Sequence, residues 1–460
     1  MSHSTAELRD LDRRHLWHPF TPMQLWLEND PLVITAADGM YLIDSDGRRY
    51  LDGVSSLWCN VHGHRVPEID DAIRRQLDKV AHTTMLGLAS EPAILLADRL
   101  MQIVPRNLKK VFYSDAGATA TEIAFKLAAQ YWYNIGRAEK NEFIGFVEAY
   151  HGDTVGAMSV GRVPAFHRPY FPLLFKVHAA PSPHVYRPPL PQSPRASDGN
   201  VFPTSDEVRH HCLAALEQIL STHSRTLAAI CIEPLVQGAG GIITHPHGFL
   251  AEVRRLATQY DVLLICDEVA TGFGRTGKMF ACAHESVEPD LMCVAKGITG
   301  GYLPLAATFA TQRIFDAFLG QPSEGKTFYH GHTYTGNPLA CAAALASLDL
   351  FDKNHLLESV VEKSAQLAAL LAPLRDLPHV GDIRQRGLMV GIELVAGKPT
   401  RTPFDPKLLI GARVCRNLRV RGVILRPLGD VIVLMPPLAM PIEDLQTITN
   451  ALSAELATLA

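Results

Sequence analysis

From about residue 95 to residue 310 the chain alternates short apolar runs with segments of helical periodicity, a pattern that few folds accommodate. The runs are KKVFYSD (109–115), FIGFVEAY (143–150), LAAICIEPL (227–235), VLLICDEV (262–269) and LMCVAKG (291–297). Between them, ATEIAFKLAAQYWY (120–133) and FLAEVRRLATQY (249–260) carry apolar residues at helical spacing. Strands apolar on both faces that alternate with helices predict an α/β fold with a mostly parallel sheet flanked by helices. Such sheets bind ligands beyond the carboxyl ends of their strands, so the residues just after each run are where chemistry is expected.

The two ends of the chain read differently. Residues 32–52 alternate apolar and polar side chains around Asp38-Gly39 and Asp46-Gly47, the signature of a strand meander. Residues 68–80 and 338–352 have helical patterns, and RGLMVGIELV (386–395), RGVILRPLGD (421–430) and VIVLMPPL (431–438) read as strands. The expected organisation is a large domain over 76–345 and a small α+β domain built from both chain ends, 1–75 and 346–460. The Pro- and Ser-rich stretch 181–203 is expected to be a long surface loop.

Composition excludes several functions. The 460 residues are 47% hydrophobic and 20% charged, an ordinary globular profile. The net charge is -4 and no basic cluster stands out, which argues against nucleic-acid and membrane-surface partners. No apolar stretch reaches membrane-span length, and the polar start MSHSTAELRDLDRRHLWHPF resembles no leader peptide. Eight cysteines without a CxxC, several in apolar runs, suit buried thiols in a reducing, cytoplasmic setting. The pairs His62/His64, His245/His247 and His330/His332 lack a Glu or Cys to complete a ligand set, so no metal is expected.

Six places carry chemistry. One apolar run ends in Asp267-Glu268 and another, about thirty residues on, in Lys296. A lysine can form a Schiff base with a cofactor aldehyde while a carboxylate keeps a pyridine nitrogen protonated; a structural pair would read the same. In VFYSDAGATATEIAFK a strand meets Gly117 and Ala118, then a helix opening with Thr119 and Thr121. That suits a phosphate, and equally an ordinary helix cap. EAYHGDT offers Tyr150, to stack on a flat ring or to pack in the core, with His151 behind it. FYHGHTYTGNP places Gly331 and Thr333 in a polar segment that suits phosphate oxygens or a plain loop. IEPLVQGAGG puts Glu233 and Gln237 at a strand end, and RPLGD puts Arg426 where a guanidinium fork could clamp a carboxylate or form a surface ion pair.

Taken together, DEVATGFGRTGK, the strand-end lysine with GITGG, and HTYTGNPLACAAA resemble the fold-type I, class III aminotransferases over almost the whole chain. LWHPFTPM, LDGVSSLWCNVHGH, AYHGDTVGAMSVG, VQGAGG and RPLGDVIVLMPPL are similar, more narrowly, to the 8-amino-7-oxononanoate aminotransferases of biotin synthesis. The resemblance implies pyridoxal phosphate (PLP) as cofactor, Lys296 as its lysine and proton shuttle, and Asp267 as partner of the pyridinium nitrogen. It implies that Gly117 and Ala118 cup the phosphate, with Thr333 reaching it from the second subunit of a homodimer. Tyr150 would stack on the ring, Glu233 would lie close to the cofactor, and Trp58, Phe20, Gly331 and Arg426 would contact substrate. Relatives that use S-adenosylmethionine as amino donor usually have Tyr where Phe20 stands and a Trp pair where this chain has Leu57-Trp58. A minority branch that uses lysine resembles this chain at both points. The alternatives are lysine as donor, another class III ω-aminotransferase, or a PLP-binding protein without catalysis.

Overall fold

The meander expected near the N-terminus is present, and it ties the two chain ends together. The computed structural model describes residues 3–190 and 202–459; residues 191–201, inside the stretch expected as a long loop, lie outside the described residues. Strands β1 (Ile34–Asp38), β2 (Tyr41–Asp44) and β3 (Arg49–Asp52) pair antiparallel. The turns between them use Gly39 and Gly47, both at positive φ, where a side chain would be strained. The fourth neighbour comes from far along the chain: β15 (Val423–Ile424) lies parallel to β3, with Val423 opposite Leu51.

The central sheet has seven strands: β4 (Leu108–Ser114), β5 (Glu142–Phe146), β6 (Val177–Ala180), β7 (Leu227–Ile232), β10 (Leu263–Asp267), β11 (Leu291–Val294) and β12 (Ala306–Thr311). A two-residue hairpin, β8 (Val236–Gln237) and β9 (Ile243–Thr244), follows β7. Their order is β4-β12-β11-β10-β7-β5-β6, and every strand runs the same way except β12. Every residue of β7, β10, β11 and β12 is buried, as continuous apolar runs require.

Two features depart from the sequence pattern. The runs 143–150 and 262–269 leave the sheet early, at Phe146 and Asp267, so their last residues form the loops above it. Strand β12 was not expected: AATFAT is built largely of small residues, and a tight turn through Gly300 and Gly301, both at positive φ, precedes it. Only a single 3-10 turn, Lys296–Thr299, separates β11 from β12, too short for a crossover, which is why β12 runs antiparallel.

The helix Gly117–Asn134 lies over β11 and β12, while Phe249–Gln259 packs on β10 and Ser205–His223 on the edge strand β6. The helix Pro338–Lys353 crosses the division expected at 345 and packs on the helices Pro67–Leu77 and Glu91–Met101. Beyond it, β13 (Val380–Arg386), β14 (Met389–Leu394), β17 (Val431–Leu434) and β16 (Arg426–Leu428) form a separate antiparallel sheet in the order β13-β14-β17-β16. Among the described residues no helix is long and apolar enough to cross a membrane.

Candidate active site

The carboxyl ends of β4, β5, β7, β10 and β11 open on one cavity of about 830 Å³, lined by Trp58, Gly117, Ala118, Tyr150, Asp267 and Lys296 among others. Asp267 is the last residue of β10 and is buried. Its Oδ2 lies 2.6 Å from His151 Nδ1, and its Oδ1 accepts the Val269 N–H at 3.0 Å. Burial alone would lower the pKa of His151, but the hydrogen bond and charge of Asp267, with Glu233 beyond, outweigh it. The imidazole therefore holds its proton to higher pH than a free one.

Lys296 stands two residues past β11 at φ +47°, a backbone conformation that a side chain rarely adopts. Its Nζ lies 5.7 Å from the centre of the Trp58 ring. Burial lowers its ammonium pKa, against the opposing pull of Asp267 and Glu233. Glu233, one residue past β7, receives the Tyr150 N–H at 2.9 Å and the Gly238 N–H at 2.8 Å. Burial, reinforced by the charge of Asp267, lifts its carboxyl pKa to about 7.

Another part of the cavity lining suits an anion. In the helix Gly117–Asn134 the first cap bond is Ala120 N–H to Ala116 O at 3.1 Å, and the amides of Gly117, Ala118 and Thr119 have no partner among the described residues. Three free N–H groups and the positive end of the helix dipole converge there. The nearby threonines serve the backbone instead. Thr119 Oγ1 accepts the Ala116 N–H at 3.0 Å, and Thr121 Oγ1 donates to the carbonyls of Ala118 and His151. Gly117 is small for a steric reason too: a Cβ there would sit 2.6 Å from Val269 Cγ1.

Tyr150 lines the cavity, whereas Arg426 lies outside its lining. Tyr150 donates its hydroxyl to Asp153 Oδ2 at 2.7 Å, and its ring lies roughly parallel to His167 at 6.0 Å. Arg426 is half-buried, makes no ion pair or side-chain hydrogen bond among the described residues, and lies near Tyr150.

The wall carrying Trp58 is a strained turn. Ser55, Ser56, Leu57 and Trp58 all have positive φ, at 52°, 48°, 81° and 68°, a conformation that costs roughly 1–2 kcal/mol per residue. Asp52 holds it from beneath by accepting Ser56 N–H at 3.0 Å, Ser56 Oγ at 2.7 Å and His64 Nε2 at 3.0 Å. Ser55 Oγ donates to Met435 O at 2.6 Å. Arg275, fully buried and without a carboxylate partner among the described residues, donates to the carbonyls of Pro436 and Asn60 and to Ser55 Oγ.

The family profile Aminotransferase class-III matches residues 24–456. The chain belongs to the class III aminotransferases. It is 54% identical over 448 residues to the adenosylmethionine-8-amino-7-oxononanoate aminotransferase of Nitratidesulfovibrio vulgaris, covering 97% of this chain and 81% of that one. The crystal structure of the enzyme of that name from Methanocaldococcus jannaschii superposes with a TM-score of 0.91 at 42% identity, over 98% of this chain and 99% of that chain. An amine transaminase from an uncultivated Pseudomonas species, solved in its PLP-bound form, superposes with a TM-score of 0.89 at 38% identity, over 96% of this chain and 98% of that chain.

Within this aminotransferase the structure gathers Trp58, Gly117, Ala118, Tyr150, Glu233, Asp267 and Lys296 around one cavity. Phe20 lies outside the lining, half-exposed, its ring edge-on to Phe166 at 5.4 Å; Phe166 in turn stands 6.5 Å from Tyr150. Gly331 and Thr333 are exposed and also outside it, in a segment anchored by His332 Nδ1 on Asp115 Oδ2 at 2.7 Å. Sequence reasoning passed over Asp52, Asp153 and Arg275, and weighed His64 only as a metal ligand. Arg275 lies inside the quoted string DEVATGFGRTGK and Asp52 inside LDG, but nothing in Ser-Ser-Leu-Trp announces a left-handed turn that needs holding.

Proposed function

We propose that this class III aminotransferase uses pyridoxal phosphate to transfer an amino group to 8-amino-7-oxononanoate, forming 7,8-diaminononanoate in biotin synthesis, with S-adenosylmethionine as donor. The donor set fits the cofactor: three free amides for its phosphate, a buried carboxylate backed by His151 for its ring nitrogen, and a desolvated lysine for its aldehyde carbon. When bound, the cofactor supplies an electron sink that stabilises negative charge at the donor carbon.

The residues then divide the work. Gly117, Ala118 and Thr119 amides bind the phosphate, and Asp267 Oδ holds the proton on the ring nitrogen. Lys296 Nζ, made less basic by burial, takes the proton from the donor carbon and returns it to the neighbouring one. Tyr150 stacks on the ring. Trp58 offers an apolar wall to the long aliphatic acceptor, while Arg426 pairs with its carboxylate. Thr333 and Gly331, exposed in one chain, reach the phosphate and substrate of a second copy, so the working unit is a homodimer; the setting is the cytosol.

The observation that carries the acceptor assignment is Arg426: a half-buried guanidinium beside Tyr150 with no partner among the described residues. A half-buried cation without a partner asks for an anion. A second reading, lysine as donor, is favoured by Phe20 and Leu57, which present neither a hydroxyl nor an indole near the entrance. The test gives holoenzyme and 8-amino-7-oxononanoate either S-adenosylmethionine or lysine and follows 7,8-diaminononanoate. Product with S-adenosylmethionine supports the first reading, product with lysine alone the second, and product with neither refutes the acceptor. Lys296→Ala should abolish turnover; retained activity would refute the lysine's role.

A further inference from the structure

At the far end of the sheet from the cavity, three side chains from three elements converge. Glu142 is the first residue of β5, His178 the second of β6, and His223 the last of the helix Ser205–His223. Their ligand atoms all lie within 4.8 Å of one another. Glu142 Oε2 is 2.7 Å from His178 Nε2, and the two imidazole rings lie 4.2 Å apart at 33°. The residues are half-buried, which leaves room for solvent.

A simple ion pair does not account for all of this. Glu142 is already served by His178, by Lys176 Nζ at 3.1 Å and by Thr226 Oγ1 at 2.9 Å. A second imidazole adds nothing to that pairing, and His223 makes no side-chain hydrogen bond among the described residues. Its approach to a ring that donates to Glu142 places two nitrogen ligands and one carboxylate on a common centre. Two histidines and a carboxylate with an open position are a donor set for borderline divalent ions such as zinc.

We propose that Glu142, His178 and His223 bind a divalent transition metal ion of the zinc type, clipping the end of the helix Ser205–His223 to the edge strand β6. The ion takes the place of the proton between His178 and Glu142, and the proton leaves to solvent. Lys176, whose side chain is 70% exposed, swings away from Glu142 Oε1. Thr226 keeps its hydrogen bond to the carboxylate and orients it, as outer partners of metal ligands do. A water completes the coordination. Because the clip joins residues far apart in sequence, it restrains a long loop, the case in which a cross-link gains most. It lies at the amino end of β5, away from Lys296 and Asp267, so loading leaves the cofactor site intact.

The test uses holoenzyme stripped of metal with a chelator and then titrated with zinc ion by calorimetry, with thermal unfolding followed in parallel. The expected result is one saturable equivalent per chain and a higher unfolding temperature with zinc. His223→Ala and His178→Ala should each weaken that binding by at least about tenfold, since even outer partners of ligands cost that much, and should abolish the thermal shift. Transaminase turnover of metal-free protein should be unchanged and serves as the check on folding. If His178→Ala loses turnover, His223→Ala decides, because it sacrifices no hydrogen bond. Binding that is undiminished in His223→Ala, or no saturable equivalent in the unaltered protein, overturns the proposal.

Discussion

Asp52→Asn is the sharpest probe of how the left-handed turn serves the site. Asp52 Oδ2 accepts from both Ser56 Oγ and His64 Nε2, while Oδ1 takes the Ser56 N–H. Asn60 Nδ2, 3.2 Å from His64 Nδ1, fixes the proton of that ring on Nε2. In the asparagine variant the carbonyl oxygen can still serve Ser56 N–H, but the amide N–H₂ then faces the His64 N–H, donor against donor. A buried donor stranded this way costs about 1–3 kcal/mol, comparable to the roughly 1–2 kcal/mol per residue that the turn already stores. Releasing the turn is the available relief, so the ratio of seated to released turn should fall by about 5- to 150-fold. Substrate binding must restore that turn, so the apparent affinity falls by up to the same factor. Steady-state kinetics should therefore show a raised KM for 8-amino-7-oxononanoate, a much smaller change in kcat, and an unchanged cofactor absorption spectrum. Adding His64→Leu, which removes the stranded donor, should recover most of the loss. A KM within twofold of the unaltered enzyme, or a loss confined to kcat, would refute the reasoning.

Arg426→Ala should raise KM for the acceptor by about 10- to 100-fold, the worth of a charge-assisted hydrogen bond; an equal effect on the acceptor's methyl ester would show that the guanidinium does not pair with the carboxylate. In the cofactor-free protein Glu233, with a folded pKa of about 7 against 4.5 for an ordinary Glu, carries a penalty absent below the unfolded value and complete above the folded one. Glu233→Gln should therefore gain thermal stability relative to the unaltered protein between pH 5 and pH 8, and a difference that does not change with pH would contradict this. Gly117→Ala should destabilise the fold, because its Cβ would meet Val269 Cγ1 at 2.6 Å, an overpacking cost of about 1–3 kcal/mol. Gly117→Ala with Val269→Ala should fold like the unaltered protein, and failure of that rescue would place the glycine's role in the backbone alone.

Much of this site was legible because it follows from the sheet. Asp267, Glu233, Lys296 and Gly117 each stand within three residues of the end of a sheet strand, and apolar runs mark the strands to within a few residues. Legibility stopped where a residue's role depends on a distant neighbour. AATFAT carries no strong strand signal, and β12 is recognisable only from its pairing with β11 and β4. Ser55–Trp58 contains no glycine, so its left-handed backbone is a product of the contacts from Asp52, Met435 and Arg275. Glu142, His178 and His223 meet only because β5 and β6 are neighbours and one helix ends above them. Each is an unremarkable residue in its own segment.

What the fold does to charge is the thread that joins these pieces. Burial acts on Lys296 and Glu233 with opposite signs and the same result: the lysine loses its proton more readily and the glutamic acid gives up its own less readily, so both move toward neutrality. His151 is equally buried yet moves the other way, because Asp267 lies 2.6 Å from its ring. The cavity thus favours charge where a partner is in contact and disfavours it where burial dominates. In the proposed role Lys296 accepts a proton, and burial on the loop after β11 moves it toward the neutral form that a base needs. Asp267, at the end of β10, instead stands against an imidazole that it keeps protonated to higher pH, so one desolvated pocket holds both a weakened cation and a paired one.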